Sequence, residues 1–394
     1  MEAKSVIIIG GGIQQVEAVR IAQSMGLKVI VTDRNPESPC FPNADYTAII
    51  DGRDIEGLIA FTLLNKEKLN ICGVLTLTEL VTSVAAVALA ADLPGVPLQG
   101  AVACQNKILC KKIWQKNNIT TPVGDVIRSF KEADKMFDAL GGKIFVKPLV
   151  GFGGKGAKKY LTRSDFEKTF TGMDDISFPL IMEEFIDGTM HDVNAVFDLQ
   201  GNFHPLGCFD RSFHPDHPVE LGACYPSQLA ENKLAEIYSL TKKAAKALGI
   251  AKGPVKADLV LTDNGFSILE MAPRLHGPKG TLWLTSFAGG SNHLKSALRV
   301  ITGEEFITNQ QQTNKYVSIY RALLPEPGRL QTIIGIEKAL KVNGIEMILV
   351  LLEPGTVINE YTNSTSVPAY MFATGKNLQD ANHCLDNGQK LLTY

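Results

Sequence analysis

What this chain lacks narrows it first. It has no excess of basic charge: 39 Lys and Arg stand against 41 Asp and Glu, giving a formal net charge of −2 and a pI near 6.4. That balance leaves no electrostatic footprint for nucleic acid, and no such partner is expected. No uninterrupted apolar run approaches the ~20 residues that span a bilayer, so no membrane partner is expected either. From Met1 only a handful of apolar positions precede Gly10-Gly11-Gly12, too few for a signal peptide. The seven cysteines are odd in number and include no C-x-x-C pair, which favours a reducing compartment over a disulfide framework. Together these absences predict a soluble, cytoplasmic protein. Internal repeats are missing, and so is the G-x-x-x-x-G-K-[ST] phosphate loop. The G-x-G-x-x-G dinucleotide fingerprint is incomplete, because Gln15 stands where its third glycine belongs. A nicotinamide-dependent dehydrogenase is therefore a minor alternative.

What remains is a chain of 394 residues, 45% apolar, long enough for two or three domains. Its opening reads as a βαβ unit, with a strand over 5–9, a helix over 13–25 and a strand over 28–33. Alternation continues through 47–50, a helix near 54–64 and a strand over 73–77, which predicts an open parallel sheet up to about residue 100. Further helices are expected over 106–117, 231–248 and 294–301, and strands near 192–198 and 202–209. The polar stretch 308–314 reads as a linker.

The most informative segment carries Asp258 and Glu270 on two short apolar runs either side of Asp263-Asn264-Gly265. A three-residue loop with Gly265 in the left-handed position pairs Thr262 with Phe266 and sets Asp258 opposite Glu270 on one sheet face. Two carboxylates roughly 5 Å apart at Cβ repel unless a cation lies between them, and hard oxygen ligands favour Mg²⁺. A two-residue turn splits them onto opposite faces. An exposed hairpin with two unrelated acids fits this segment equally well.

A second segment weighs against that blander reading. Lys143-Ile144-Phe145-Val146-Lys147-Pro148 reads as a buried strand, followed by Gly151-Phe152-Gly153-Gly154-Lys155-Gly156. Glycines let backbone N–H groups approach an anion, while Lys147 and Lys155 add positive charge. A third segment, Pro179 through Glu183-Glu184-Phe185-Ile186 to Gly188, is an apolar strand ending in acids. Its backbone could read a purine edge, with Glu183 accepting from an exocyclic amine. In the crowded stretch 209–223, read as a loop, His214 and His217 have metal-like spacing, but Pro215 and Pro218 forbid one helix face presenting both. His276, in Leu275-His276-Gly277-Pro278-Lys279, could line a substrate site or be an ordinary loop histidine.

In this order the segments resemble the ATP-grasp superfamily, through Lys107, the Val146-Lys147-Pro148 strand, the glycine loop, Glu183 to Ile186, Asp258, Glu270 and Arg274. The resemblance implies a mixed α/β and α+β multidomain ATP-grasp fold. Its N-terminal open parallel α/β pre-domain would span 1–105, its ATP-grasp domain 106–305, with lobes over about 120–185 and 186–305, and its C-terminal closing domain 306–394. It implies ATP and Mg²⁺ as cofactors, with Mn²⁺ as a substitute. Lys107, Lys147 and the loop of Gly153, Gly154, Lys155 and Gly156 would meet phosphate. Glu183, Glu184, Phe185 and Ile186 would meet adenine, and Asp192 ribose. Asp258 and Glu270 would hold metal, and Arg274 would face the transferred phosphate. Gly11, Gly12 and Glu79 become candidate substrate contacts, and a homodimer is expected.

The segment Val219-Glu220-Leu221-Gly222 also resembles L-amino-acid ligases, which implies an amine contact at Glu220. Two departures stand out: Ala272 where many relatives have a metal-binding Asn, and Ala223 where the ligases have His. The activity implied is an ADP-forming carboxylate-amine ligase acting on small molecules. A purine-pathway or bicarbonate-activating ligase is the nearest alternative, and a catalytically idle ATP-binding module a further one.

Overall fold

The computed structural model describes residues 3–149, 151, 154–171, 178–290, 292–306 and 314–394. Four short parallel strands open the chain: β1 (Ser5–Ile9), β2 (Lys28–Asp33), β3 (Tyr46–Ile49) and β4 (Ile71–Leu75), ordered β3-β2-β1-β4. All five residues of β1 are buried, as a strand covered on both faces requires. On one face Ile8 shares a core with Val19 and Leu298, and on the other Ile7 packs with Leu58 and Val87. The parallel sheet expected from the alternation is therefore present.

A second sheet has the order β5-β8-β6-β7, from β5 (Gly124–Ile127), β6 (Ile144–Pro148), β7 (Lys158–Tyr160) and β8 (Leu180–Glu184), all antiparallel. Phe137, Phe166 and Phe170 stack beneath it, with centroid separations of 4.6 Å for Phe137–Phe166 and Phe166–Phe170. The helix Lys107–Lys116 precedes this sheet, and Asn106 caps it by accepting from the Leu109 N–H at 2.9 Å.

The third sheet has eight antiparallel strands. They are β9 (Thr189–Phe197), β10 (Phe203–Phe213), β11 (Glu220–Tyr225), β12 (Gly253–Thr262), β13 (Gly265–Ala272), β14 (Val317–Leu323), β16 (Ile345–Val350) and β18 (Ala369–Gly375). A separate two-residue pair, β15 (Gly328–Arg329) with β17 (Val357–Ile358), lies outside it. The order of the large sheet is β13-β12-β9-β10-β11-β14-β18-β16, so the last fifth of the chain completes the sheet that carries the acidic hairpin. The helix Glu231–Ala247 covers one face, burying Ile237, Ala244 and Ala245 against Val193, Val255 and Ala257.

Two expectations are corrected here. The stretch 209–223 is mostly a hairpin: β10 runs to Phe213, β11 begins at Glu220, and Arg211 pairs with Ala223. The stretch read as a loop in sequence because nothing local shows that its charges neutralise each other inside the sheet. The acidic hairpin also turns differently, with Thr262 opposite Gly265 rather than Phe266. A β-bulge between Asp258 and Leu259 then shifts the register by one residue and brings Asp258 opposite Glu270 after all. Most of the polar stretch 308–314 lies outside the described residues.

Candidate functional site

One cleft of about 1370 Å³ is lined by the ends of all three sheets. It takes in Lys107, Lys147, Gly154, Lys155, Glu183 to Ile186, Glu220, Asp258, Glu270, Arg274 and His276. Gly153 lies outside the described residues, while Gly156, Asp192, Gly11 and Gly12 do not line the cleft. Gly10 and Glu79 do.

At one end, β8 ends in Glu183, whose carboxylate is 5% exposed and bridges two lysines. Lys111 Nζ lies 3.0 Å from Oε1 and Lys147 Nζ 2.8 Å from Oε2. Burial pushes this carboxyl up, but Lys147 and Lys111 outweigh it and hold the pKa below the ordinary value. Glu183 therefore anchors Lys147 rather than presenting a bare acceptor to a purine. Sequence reading missed Lys111, although it follows Lys107 by one helical turn. Lys107 donates to the Gly151 carbonyl at 3.0 Å, tying the glycine loop to the preceding helix. Gly154 has φ +75°, and a Cβ there would meet the Pro218 carbonyl at 2.6 Å, so the loop leans on the turn between β10 and β11. At the hinge, the Glu184 and Phe185 N–H groups donate to Val123 and Lys143 carbonyls. Glu184, Phe185 and Ile186 are half-buried along the cleft wall.

The centre of the cleft is a row of three acids on neighbouring strands: Asp192 on β9, Asp258 on β12 and Glu270 on β13, each opposite the next. Asp192 has no exposed surface. Arg211 Nη1 reaches its oxygens at 2.8 and 3.1 Å, and His276 Nε2 reaches one at 2.8 Å. It is thus too enclosed for the ribose contact expected of it. Burial raises its pKa, but Arg211 and His276 prevail and lower it. His276 is spent likewise, with Nε2 on Asp192 and Nδ1 at 3.1 Å from the Gly277 carbonyl. Asp258 is held by Lys256 Nζ at 2.6 and 2.8 Å. Its pKa is nevertheless raised, first by burial and next by Asp192, with Glu270 adding to the effect. The Glu270 side chain lines the cleft, and its carboxylate forms no hydrogen bond or ion pair among the described residues.

An under-compensated Asp258 facing an unpaired Glu270 fits a hard divalent cation. Among the described residues no group of three or more His, Cys, Asp or Glu could hold a metal, so this pair would leave the other positions to phosphate oxygens and water. Ala272 is buried in β13 and offers no oxygen. Arg274 ties the cleft to the N-terminal sheet through Glu79 and donates to the Leu275 carbonyl at 2.8 Å, while its Nε is buried without a partner among the described residues. The His214 and His217 rings lie 5.4 Å apart, tilted by 34°, and His217 pairs with Glu360 at 3.3 Å.

At the far end Glu220 is 5% exposed and meets Arg211, Lys279 and Tyr320. Arg211 and Lys279 were missed as site residues. The period-two alternation of β10 places Arg211 and Phe209 on one face, which is the signal that could have found the first.

With this geometry in view, two domain families match parts of the chain. Residues 104–278 match the ATP-grasp domain, and residues 321–393 match the L-amino acid ligase C-terminal domain 2. Among curated proteins, Uncharacterized protein y4rH of Sinorhizobium fredii is 22% identical over 88% of this chain and 73% of its own length. The carbamoyl phosphate synthase large chain of Agathobacter rectalis is 23% identical over 76% of this chain, which spans only 29% of that protein. Among solved structures, an L-amino acid ligase from Bacillus licheniformis matches with a TM-score of 0.84 at 20% identity, covering 100% of this chain and 98% of that one. Phosphoribosylglycinamide synthetase from Anaerococcus prevotii matches at 0.76 and 21%, covering 100% and 99%. No helix of the described residues is long and apolar enough to cross a membrane.

Proposed function

We propose that the chain, whose residues 104–278 match the ATP-grasp domain, is an ATP-grasp ligase that joins a small carboxylic acid to an amine, an amino acid by preference, with release of ADP and phosphate. The observation that carries this reading is the Asp258–Glu270 pair, left short of positive charge in a cleft that also holds Lys107, Lys147 and the glycine loop. Asp258 and Glu270 would hold Mg²⁺, which when bound neutralises charge on the transferring phosphoryl group. Lys147, fixed by Glu183, and Arg274, fixed by Glu79, flank the same cleft with positive charge. Phe185 and Ile186 supply an apolar wall for a purine.

A carboxylate oxygen of the acid attacks the γ-phosphorus in line, the bond to the β-phosphate oxygen breaks, and ADP leaves an acyl phosphate behind. The amine nitrogen then attacks the carbonyl, gives up a proton, and expels phosphate to leave an amide. Arg274 is placed to balance charge on the tetrahedral oxyanion. No protein nucleophile takes part. The glycine loop, leaning on Pro218, shields the acyl phosphate from water. We place this reaction in the cytoplasm and expect a homodimer.

The test is an ADP-release screen over amino acids and small carboxylates, singly and in pairs. Release that needs both an acid and an amine, with hydroxylamine trapping the acyl group as a hydroxamate, supports the reading. The phosphoribosylglycinamide synthetase likeness keeps one rival in play. Release driven by bicarbonate or a phosphoribosyl amine, and by no amino acid, favours that purine-pathway or bicarbonate-activating alternative.

A further inference from the structure

Glu220 sits in a small box. Its Oε1 accepts from Arg211 Nε at 3.0 Å and from the Tyr320 hydroxyl, and Lys279 Nζ lies 2.8 Å from its Oε2. The same ammonium lies 3.7 Å from the Tyr370 ring centroid and 5.1 Å from that of Tyr320. A carboxylate with two aromatic faces is the chemistry by which proteins hold an alkylammonium. Here the ammonium inside is the chain's own.

The arrangement is fixed on every side. Glu220 and Tyr320 stand on β11 and β14, which are paired, and Tyr370 on β18, which pairs with β14. Lys279 is the first residue of a π-helical turn, Lys279–Leu284. The backbone beside it runs close against the His276 ring, so close that a Cβ on Gly280 would stand 2.5 Å from Nδ1. Burial disfavours the charged lysine, yet Glu220 and Tyr370 more than offset this and raise its pKa, so the cation stays. The box opens on the cleft, where Lys279, Glu220 and Tyr370 all line the wall beside Arg274.

We propose that this box is an ammonium subsite that Lys279 keeps filled, which makes Lys279 the residue that excludes an α-ammonium from the acid substrate. The acid that is phosphorylated is then a carboxylic acid carrying hydrogen, hydroxyl or carbonyl oxygen where an amino acid carries its amine. The amine partner enters separately. This rests on the ligase reading above and goes beyond it, since resemblance to L-amino-acid ligases implied that Glu220 binds a substrate amine. An α-ammonium brought here would face the Lys279 charge in a dry pocket and would find the Glu220 oxygens already engaged. A hydroxyl at the same position brings no charge and can accept from a remaining N–H of Lys279.

The experiment compares matched acids, L-alanine with L-lactate and L-glutamate with 2-hydroxyglutarate, for ATP-dependent hydroxamate formation in wild type, Lys279→Met and Lys279→Arg. Wild type and Lys279→Arg should prefer the hydroxy acids by about tenfold or more in kcat/KM, a difference of about 1.4 kcal/mol, and Lys279→Met should shift the ratio tenfold toward the amino acids. Wild-type preference for the amino acids, or a ratio that Lys279→Met leaves unmoved, overturns the proposal. Calorimetric titration of L-alanine into the ADP-loaded full chain reads the box without turnover. Affinity about tenfold tighter in Lys279→Met than in wild type supports it, and equal affinity, including no binding to either, overturns it. Tighter binding without hydroxamate from any acid would leave the subsite standing while the ligase reading fails.

Discussion

The two ends of one acidic row behave differently. Asp192, Asp258 and Glu270 stand side by side on three strands, yet Asp192 is enclosed by Arg211 and His276 while Glu270 faces the cleft with no ion-pair partner among the described residues. The inner end is closed on itself and behaves as part of the core. At the outer end only Lys256 stands against the two remaining carboxylates, and that is where we propose that a cation brought by a ligand binds. Asp258 lies between them, tethered by Lys256 but with its pKa still raised by burial and by its acidic neighbours. Charge in this cleft is therefore best read by what remains unpaired.

Asp192→Ala attacks the closed end and should have the largest effect on folding. It leaves Arg211 and His276 without their buried carboxylate, which costs about 3–5 kcal/mol in urea unfolding. A loss below about 0.5 kcal/mol, ordinary for a surface site, would remove the distinction between the two ends. Glu270→Ala is the complement. Amine-dependent ADP release should fall by about a hundredfold or more, while folding free energy moves by less than about 0.5 kcal/mol. Full activity in that variant would end the metal assignment.

Gly154→Ala probes the contact between the glycine loop and Pro218. With φ +75° and the Pro218 carbonyl 2.6 Å from the new Cβ, the strain should cost about 1–2 kcal/mol and slow ADP release, and unchanged stability and rate would show that the loop does not lean there.

The smallest effect near neutrality is that of pH. Burial raises the Asp192 and Glu220 pKa values, but their cations outweigh it, leaving both depressed in the folded protein. The stability they contribute is present above the unfolded carboxylate pKa of about 4 and is lost as pH falls from there toward the folded values. Asp258 has the opposite sign: its raised folded pKa means that stability falls as pH rises from about 4 through that value. With Asp192, Glu220 and Glu183 depressed against Asp258 raised, the urea midpoint should drop on acidification below about pH 4, and a midpoint that rises there contradicts the charge assignment.

Much of this fold was legible in the sequence, and the reason differs by region. The buried run of β1, the helix expected over 106–117 and the apolar strand ending in Lys147 are local signals, and each lies where its pattern placed it. The Asp258–Glu270 pairing was anticipated by a different route, since a bulge rather than the turn sets the register, and nothing in the local pattern marks that bulge. What could not be read were contacts made across the sheet. Arg211 and Glu220 looked like loop charges until β10 and β11 brought them together, and Asp192 looked available until His276 arrived from beyond β13. Lys279 stood in a segment noticed for its histidine, and only β14 and β18, about forty and ninety residues later, build the aromatic walls around it.

The claim on which the rest depends is that Asp258 and Glu270 bind nucleotide through a shared divalent cation. Calorimetric titration of ATP into wild type and Glu270→Ala, with Mg²⁺ and again with EDTA, tests it most directly. The account predicts saturable binding by wild type with Mg²⁺, and affinity at least about tenfold weaker both in the variant and without the metal. Equal affinity in all these titrations would contradict it.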